Sequence, residues 1–179
     1  MAVEAPRAGM RLTAARWDAI TARWTAWTPV WTTSTGLNTP SFGNATLDCS
    51  YCRTGDLVVG RFEIIFGSST NFGAAPTSSD NWRFSLPVTG ASIQTSIGTA
   101  ELLKSTDKRH TARVRMTTTG VFELELSSGA PDGLNTTADG AVGGGKGLVD
   151  SLGPWSAGAG STTWASGYAI RGNFTYQGA

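Results

Sequence analysis

From Thr28 onward the chain is built of short runs in which apolar and polar residues alternate, each ended by Gly, Ser, Thr or Asn. Alternation with period two puts every second side chain on one face of an extended strand, so the runs read as half-buried strands and the clusters between them as turns. The clearest run is LVVGRFEIIF, 57–66. Val58, Phe62, Ile64 and Phe66 share one face with Gly60, and Arg61 and Glu63 share the other. One buried face and one wetter face is the pattern of an antiparallel sheet.

Seven further stretches repeat this logic: 30–33, 46–53, 82–86, 93–103, 110–116, 121–126 and 168–176. The stretch 93–103 reads as a strand pair or as one bulged strand. Ala112, Val114 and Met116 oppose Arg113 and Arg115, and Phe122, Leu124 and Leu126 oppose Glu123 and Glu125. A tight connection at 117–120 lets these arginines and glutamates meet across a hairpin. Residues 67–81 and 129–163 are long Gly/Ser/Thr/Pro-rich loops. About eight strands predict an all-β fold, an antiparallel two-sheet β-sandwich of jelly-roll type.

One segment departs from the alternation. Trp17, Ile20 and Trp24 recur at i, i+3 and i+7, with Thr13 as N-cap and several alanines between them, which predicts a short helix over 14–23. A helix of that length is marginal alone and needs something to pack on. The expected organisation is therefore an N-terminal arm with an attachment helix, 1–26, followed by a sandwich domain, 27–179.

The 179 residues suffice for one sizeable core. Hydrophobic residues make up 40% and charged residues only 15%, below the roughly 25% usual for globular chains. The surface must be covered by small polar residues or by partners. A formal net charge of +1 gives no reason to expect nucleic acid or an anionic membrane as partner. No run approaches the roughly 20 apolar residues of a membrane span. The start, MAVEAPRAGMRLTAARW, has no signal-peptide h-region, so the expectation is synthesis in the cytoplasm and action there or release by lysis or a dedicated route.

The chemistry of an enzyme is not legible. The sole histidine, His110, lies among Lys108, Arg109 and Arg113, a structural or solvent setting. Glu63, Glu123 and Glu125 sit on sheet faces, and nothing in the spacing selects a glycosidase pair among them. GAVGGGKG, 140–147, lacks the GxxxxGK[ST] pattern because Gly147 follows Lys146. Asp132, Asn135, Asp139 and Asp150 could supply oxygen ligands for calcium but have no EF-hand spacing. Cys49 and Cys52 supply at most two ligands of the four a structural zinc needs. They read as free thiols, with a disulfide, a redox pair or an intersubunit metal as alternatives. No catalytic residue, metal or cofactor is expected.

Two stretches carry a family resemblance. The first is GMRLTAARWDAI, 9–20, followed by WTAWTPVWTTSTGLNTPSFGNATLDCSYCRTGDLVVGRFEIIFGSSTNFG, 24–73; the second is TTWASGYAIRGNFTY, 162–176. The helix, WTPxW, a GN turn and a long hydrophobic strand opening a GSxTxFG loop resemble small virion proteins of tailed phages of actinobacteria, which serve as minor tail proteins or as head-decoration and fibre domains. This chain departs from that pattern at Asp18, where Asn is usual, and at Asp48, Cys49, Ser50 and Tyr51, where a glycine-aromatic sequence is usual. The cysteines are its own. The resemblance implies a β-sandwich that trimerises on the virion surface.

Seven tryptophans fit either core or interface, because Trp is large, stiff and common in both. Trp17, Ile20, Trp24 and Trp27 are the expected attachment or subunit-interface residues, docking into a capsid or tail protein. Phe72, Trp155 and Trp164 are the expected glycan contacts if the chain is instead a carbohydrate-binding host-adsorption module.

Overall fold

The computed structural model describes residues 9, 11, 13, 14, 21, 23–37, 39–73, 81–104, 108–126, 149, 151 and 164–179. Their regular elements are nine strands: β1 (Thr25–Ala26), β2 (Trp31–Thr33), β3 (Thr46–Thr54), β4 (Leu57–Ile65), β5 (Trp82–Ser85), β6 (Thr95–Lys104), β7 (Lys108–Thr118), β8 (Val121–Leu126) and β9 (Ala169–Gln177). They form one sheet in the order β1-β3-β4-β9-β6-β7-β8-β5-β2. All of its pairings are antiparallel.

The connection from β1 to β2 dictates how this sheet is bent. The two strands lie at opposite edges, yet only residues 27–30 separate them. Five residue steps reach at most roughly 18 Å, whereas nine flat strands would hold the edges roughly 38 Å apart. The sheet must therefore curl until its edges approach. Rings meet across the interior accordingly: Phe62 of β4 lies 5.4 Å from Phe122 of β8, and Trp31 of β2 lies 5.6 Å from Phe66 at the end of β4. The all-β antiparallel expectation holds. The expected pair of separate sheets is replaced by one curled sheet, because β9 pairs with both β4 and β6 and joins the two halves.

All eight expected strands are present, and 93–103 is a single strand bulged between Ser96 and Gly98. The β3–β4 hairpin turns on two residues, with Gly55 at φ 59°, a left-handed conformation that glycine adopts at least cost. The inner face is as the alternation predicts: Val58, Phe62, Ile64, Phe66, Val114, Phe122, Leu124, Ile170 and Phe174 are all buried. Gly60 pairs with Phe174 and Phe62 with Gly172 across β4 and β9, and a Cβ on either glycine would run into the opposing ring. Each phenylalanine thus lies over a glycine of the neighbouring strand.

Among the described residues the only helical one is Ala14, and every regular element that they form is a strand. The helix expected over 14–23 falls mostly on 15–20 and 22, Trp17 and Ile20 included, which lie outside them. Trp24 is not helical; it leads directly into β1, whose Thr25 and Ala26 pair with Tyr51 and Ser50. The sheet therefore begins two residues before the expected boundary at 27. Hydrogen bonding to the β3 edge and burial of Trp27 hold this stretch extended where a short helix would have to stand alone.

Candidate functional site

The outer face of the central strands carries the charged residues that alternation turns away from the core. Register sets them in a row: Asp48 of β3 faces Glu63 of β4, Glu63 faces Arg171 of β9, Arg171 faces Glu101 of β6, and Glu101 faces Thr111 of β7. A parallel row runs Ser50, Arg61, Asn173, Thr99 and Arg113. Between them lies a groove of about 550 Å³, walled by the long side chains of Arg61, Glu63, Glu101 and Arg171. The shorter Thr99, Thr111 and Asn173 leave space between those walls, and Phe62, Ala100 and Gly172, whose own side-chain positions face the core, contribute to its floor.

Two carboxylates directly opposite each other repel, so Asp48 beside Glu63 needs compensation. Arg61 supplies it to Asp48, Nη2 to Oδ1 3.3 Å, while its Nε donates to Ser50 Oγ at 3.1 Å. Arg171 donates from Nε to Glu63 Oε1. Arg109 lies 3.6 Å from Glu101. Each groove carboxylate thus has its own guanidinium, and all six side chains remain partly or largely exposed. Trp24, 57% exposed, stands at one end with the Arg61 guanidinium 5.9 Å from its ring centroid.

The charge pairs expected on the β7–β8 hairpin form in altered combination. Arg113 faces Glu125, and Arg115 faces Glu123. Glu125 takes both arginines, at 3.2 and 3.9 Å. Glu123 is only 2% exposed and instead accepts a 2.7 Å hydrogen bond from Arg83 Nε of β5. The three glutamates weighed as a glycosidase pair are therefore divided: Glu63 lies in the groove, while Glu123 and Glu125 lie on β8.

The other residues singled out from the sequence fall as follows. Trp27 is half-buried inside its own sheet, 5.7 Å from Phe174 and 6.4 Å from Phe122. Phe72 is half-buried against Trp31, Phe66 and Trp82. Trp164 is 3% exposed and packs on Phe66 and Trp82, so its ring is part of the core and is not open to a sugar. Trp155 lies outside the described residues, as do Lys146, Asp132, Asn135, Asp139 and Asp150.

Cys49 and Cys52 are free. Alternation sends them to opposite faces of β3, which rules out a bond between them. Burial pushes the Cys49 thiol up to about 11. His110 is shifted down, by burial first and by the Lys104 charge second. Among the described residues no group of three or more His, Cys, Asp or Glu is arranged to hold a metal, and no helix is long and apolar enough to cross a membrane.

No protein-family model, curated protein or solved structure matches the chain.

Proposed function

We propose that this chain is a structural virion protein of a tailed phage, a homotrimeric capsid-decoration or minor tail module displayed on the particle surface, made in the host cytoplasm and without catalytic activity. The two facing halves of the curled sheet serve as the layers of a jelly-roll-like sandwich. The observation that carries this reading is a rigid, aromatic-filled body that leaves large apolar side chains outside: Trp24, Val30, Leu37, Leu57 and Ile93 are each more than half exposed. On a chain with so few charges, such residues fit contacts with copies of itself and with major capsid or tail proteins. The sequence resemblance of 9–20, 24–73 and 162–176 to virion proteins points the same way. Light scattering after size exclusion should return three times 18.7 kDa for the full chain; a monomer at every concentration would remove the trimer. Mass spectrometry and immunogold labelling of purified particles should find the chain on the surface, and its absence from particles would overturn the virion assignment.

A second reading, a host-adsorption module that binds cell-wall carbohydrate, is favoured by the outer-face groove. Its hydrogen-bonding side chains are on strands, a rigid support for recognition.

A further inference from the structure

We propose that the groove across β3, β4, β9, β6 and β7 binds a neutral oligosaccharide, with Trp24 as an aromatic platform at its Arg61 end. This rests on the host-adsorption reading and gives it a site and a ligand class. The site differs from the aromatic residues expected from the sequence, since Trp164 is sealed in the core and Phe72 is engaged by three other rings.

Four observations select the ligand. The first is size: about 550 Å³ lies within the range of roughly 300–1,000 Å³ that small-ligand sites occupy. The second is charge. The lining holds Asp48, Glu63 and Glu101 against Arg61 and Arg171, and Arg109, beside the groove and 3.6 Å from Glu101, supplies the third counter-charge, so no net charge is left to attract an anion or a cation. The third is hydrogen-bonding capacity. A carboxylate offers about four acceptor positions and a guanidinium five donors, more than one pair satisfies. A sugar hydroxyl donates to one and accepts from the other at once, and the Asn173 amide and the Thr99 and Thr111 hydroxyls add both kinds of group. The fourth is the exposed Trp24 ring. It suits the C–H face of a pyranose and is, among the described residues, the one exposed large aromatic ring.

The strands hold this array before ligand arrives. Cross-strand register fixes the spacing of the rows, so little ordering is lost on binding. The exposed ion pairs contribute little to folding, on the order of 0–1 kcal/mol each, and a ligand can rearrange them at small cost.

The test uses the full chain labelled with nitrogen-15, titrated to millimolar levels with chitotetraose, mannotriose, maltotriose and, as a charged comparison, trigalacturonate. A parallel assay measures co-sedimentation with host cell walls. At least one neutral probe should shift the amides of Thr99, Glu101, Arg171 and Asn173. The double variant Glu101→Gln/Asn173→Ala, confirmed as folded by its unfolding temperature, should weaken that binding at least tenfold, and Trp24→Ala should weaken it separately. No shift with any neutral probe overturns the groove assignment, as does binding by trigalacturonate alone or binding that the variants leave intact. If cell walls still retain both wild type and double variant, the adsorption reading survives and the groove does not. If neither walls nor probes bind, both fail.

Discussion

Substituting Gly60 by alanine adds one methyl group at a place in the sheet already filled by a ring of the neighbouring strand. Gly60 faces Phe174 across β4–β9, and Gly98 faces the same phenylalanine across β6–β9. A Cβ at Gly60 would fall on the Phe174 ring at Cζ and Cε2. A ring can swing away from a new methyl only if there is room. Phe174 is 0% exposed, with the rings of Trp27, Phe62, Phe122 and Tyr176 at 5.7, 6.3, 6.0 and 5.7 Å. Overpacking of this kind costs about 1–3 kcal/mol. With Phe174 enclosed by four rings the cost falls in the upper half of that range, and the alanine returns about 0.4–1 kcal/mol by restricting the unfolded chain, which leaves a net loss of about 1–2 kcal/mol. For a chain of this size that lowers Tm by about 2–8 °C. Gly120→Ala is the control, because nothing lies within 4 Å of its Cβ position, and its effect should stay within about 0.5 kcal/mol. Phe174→Leu removes the obstructing ring atoms. The double variant Gly60→Ala/Phe174→Leu should therefore be at least about 1 kcal/mol more stable than the sum of the single losses, read by urea unfolding. Strict additivity, or a Gly60→Ala protein as stable as Gly120→Ala, would refute the account of rings lying over glycines.

Other features give shorter tests. Cys49 is raised from 9.0 to about 11, so the unfolded chain loses that proton first as pH rises. Its contribution to stability is whole below about pH 9 and is lost by about pH 11, amounting to about 2–3 kcal/mol; unfolding at several pH values should show a shallower alkaline loss in Cys49→Ala. For the same reason a thiol reagent near neutral pH should modify Cys52 in the folded chain and reach Cys49 only on unfolding. The Tyr176 hydroxyl donates to the Val88 carbonyl at 2.7 Å and accepts from the Val88 N–H at 3.3 Å. Tyr176→Phe should cost about 1–2 kcal/mol in urea unfolding by stranding both backbone groups, and no loss would mean that water replaces the hydroxyl.

The strands were legible because alternation is a local signal. In β4, β7 and β8 it identified the faces correctly, with Val58, Phe62, Ile64, Val114, Phe122 and Leu124 turned to the core and Arg61, Glu63, Arg113 and Arg115 turned away from it. Two things were not local. The first is the stretch 24–27: Trp17, Ile20 and Trp24 are spaced for a helix, but Trp24 precedes a two-residue strand whose partner, β3, lies about two dozen residues downstream. Propensity carries no information about an edge that far away. The second is the groove. Arg61 and Glu63 could be assigned to the outer face from sequence, but not to a neighbourhood. β9 lies between β4 and β6 in the sheet while following both by many residues in the chain. Only that insertion sets Arg171 between Glu63 and Glu101. Trp27, Phe72 and Trp164 show a related limit: a tryptophan suited to an interface is equally suited to a core, and composition does not distinguish them.

Ion pairs of the same chemistry serve two different ends on this sheet, and burial decides which. Glu123 and Arg61 both belong to the outward-facing set of their strands. Glu123 is almost wholly buried, with Arg83 laid over it and a second Arg83 contact to the Ser34 carbonyl at 3.4 Å. Asp48 and Arg61 remain about 60% exposed. Removing Arg83 leaves an almost wholly buried carboxylate without its hydrogen-bond donor, while the facing Arg115 is paired with Glu125. Breaking a fully buried pair costs about 3–5 kcal/mol, and the partial exposure of Arg83 reduces the expected loss for Arg83→Met to about 2–3 kcal/mol. Arg61→Met leaves Asp48 in water and should cost less than about 1 kcal/mol. Adding Glu123→Leu to Arg83→Met should restore most of the lost stability, since an apolar pair needs no compensation. Urea unfolding of the three variants decides the matter. Equal losses for Arg83→Met and Arg61→Met would mean that burial does not separate the two pairs, and the groove pairs would then hold the fold together as firmly as Arg83 and Glu123 do.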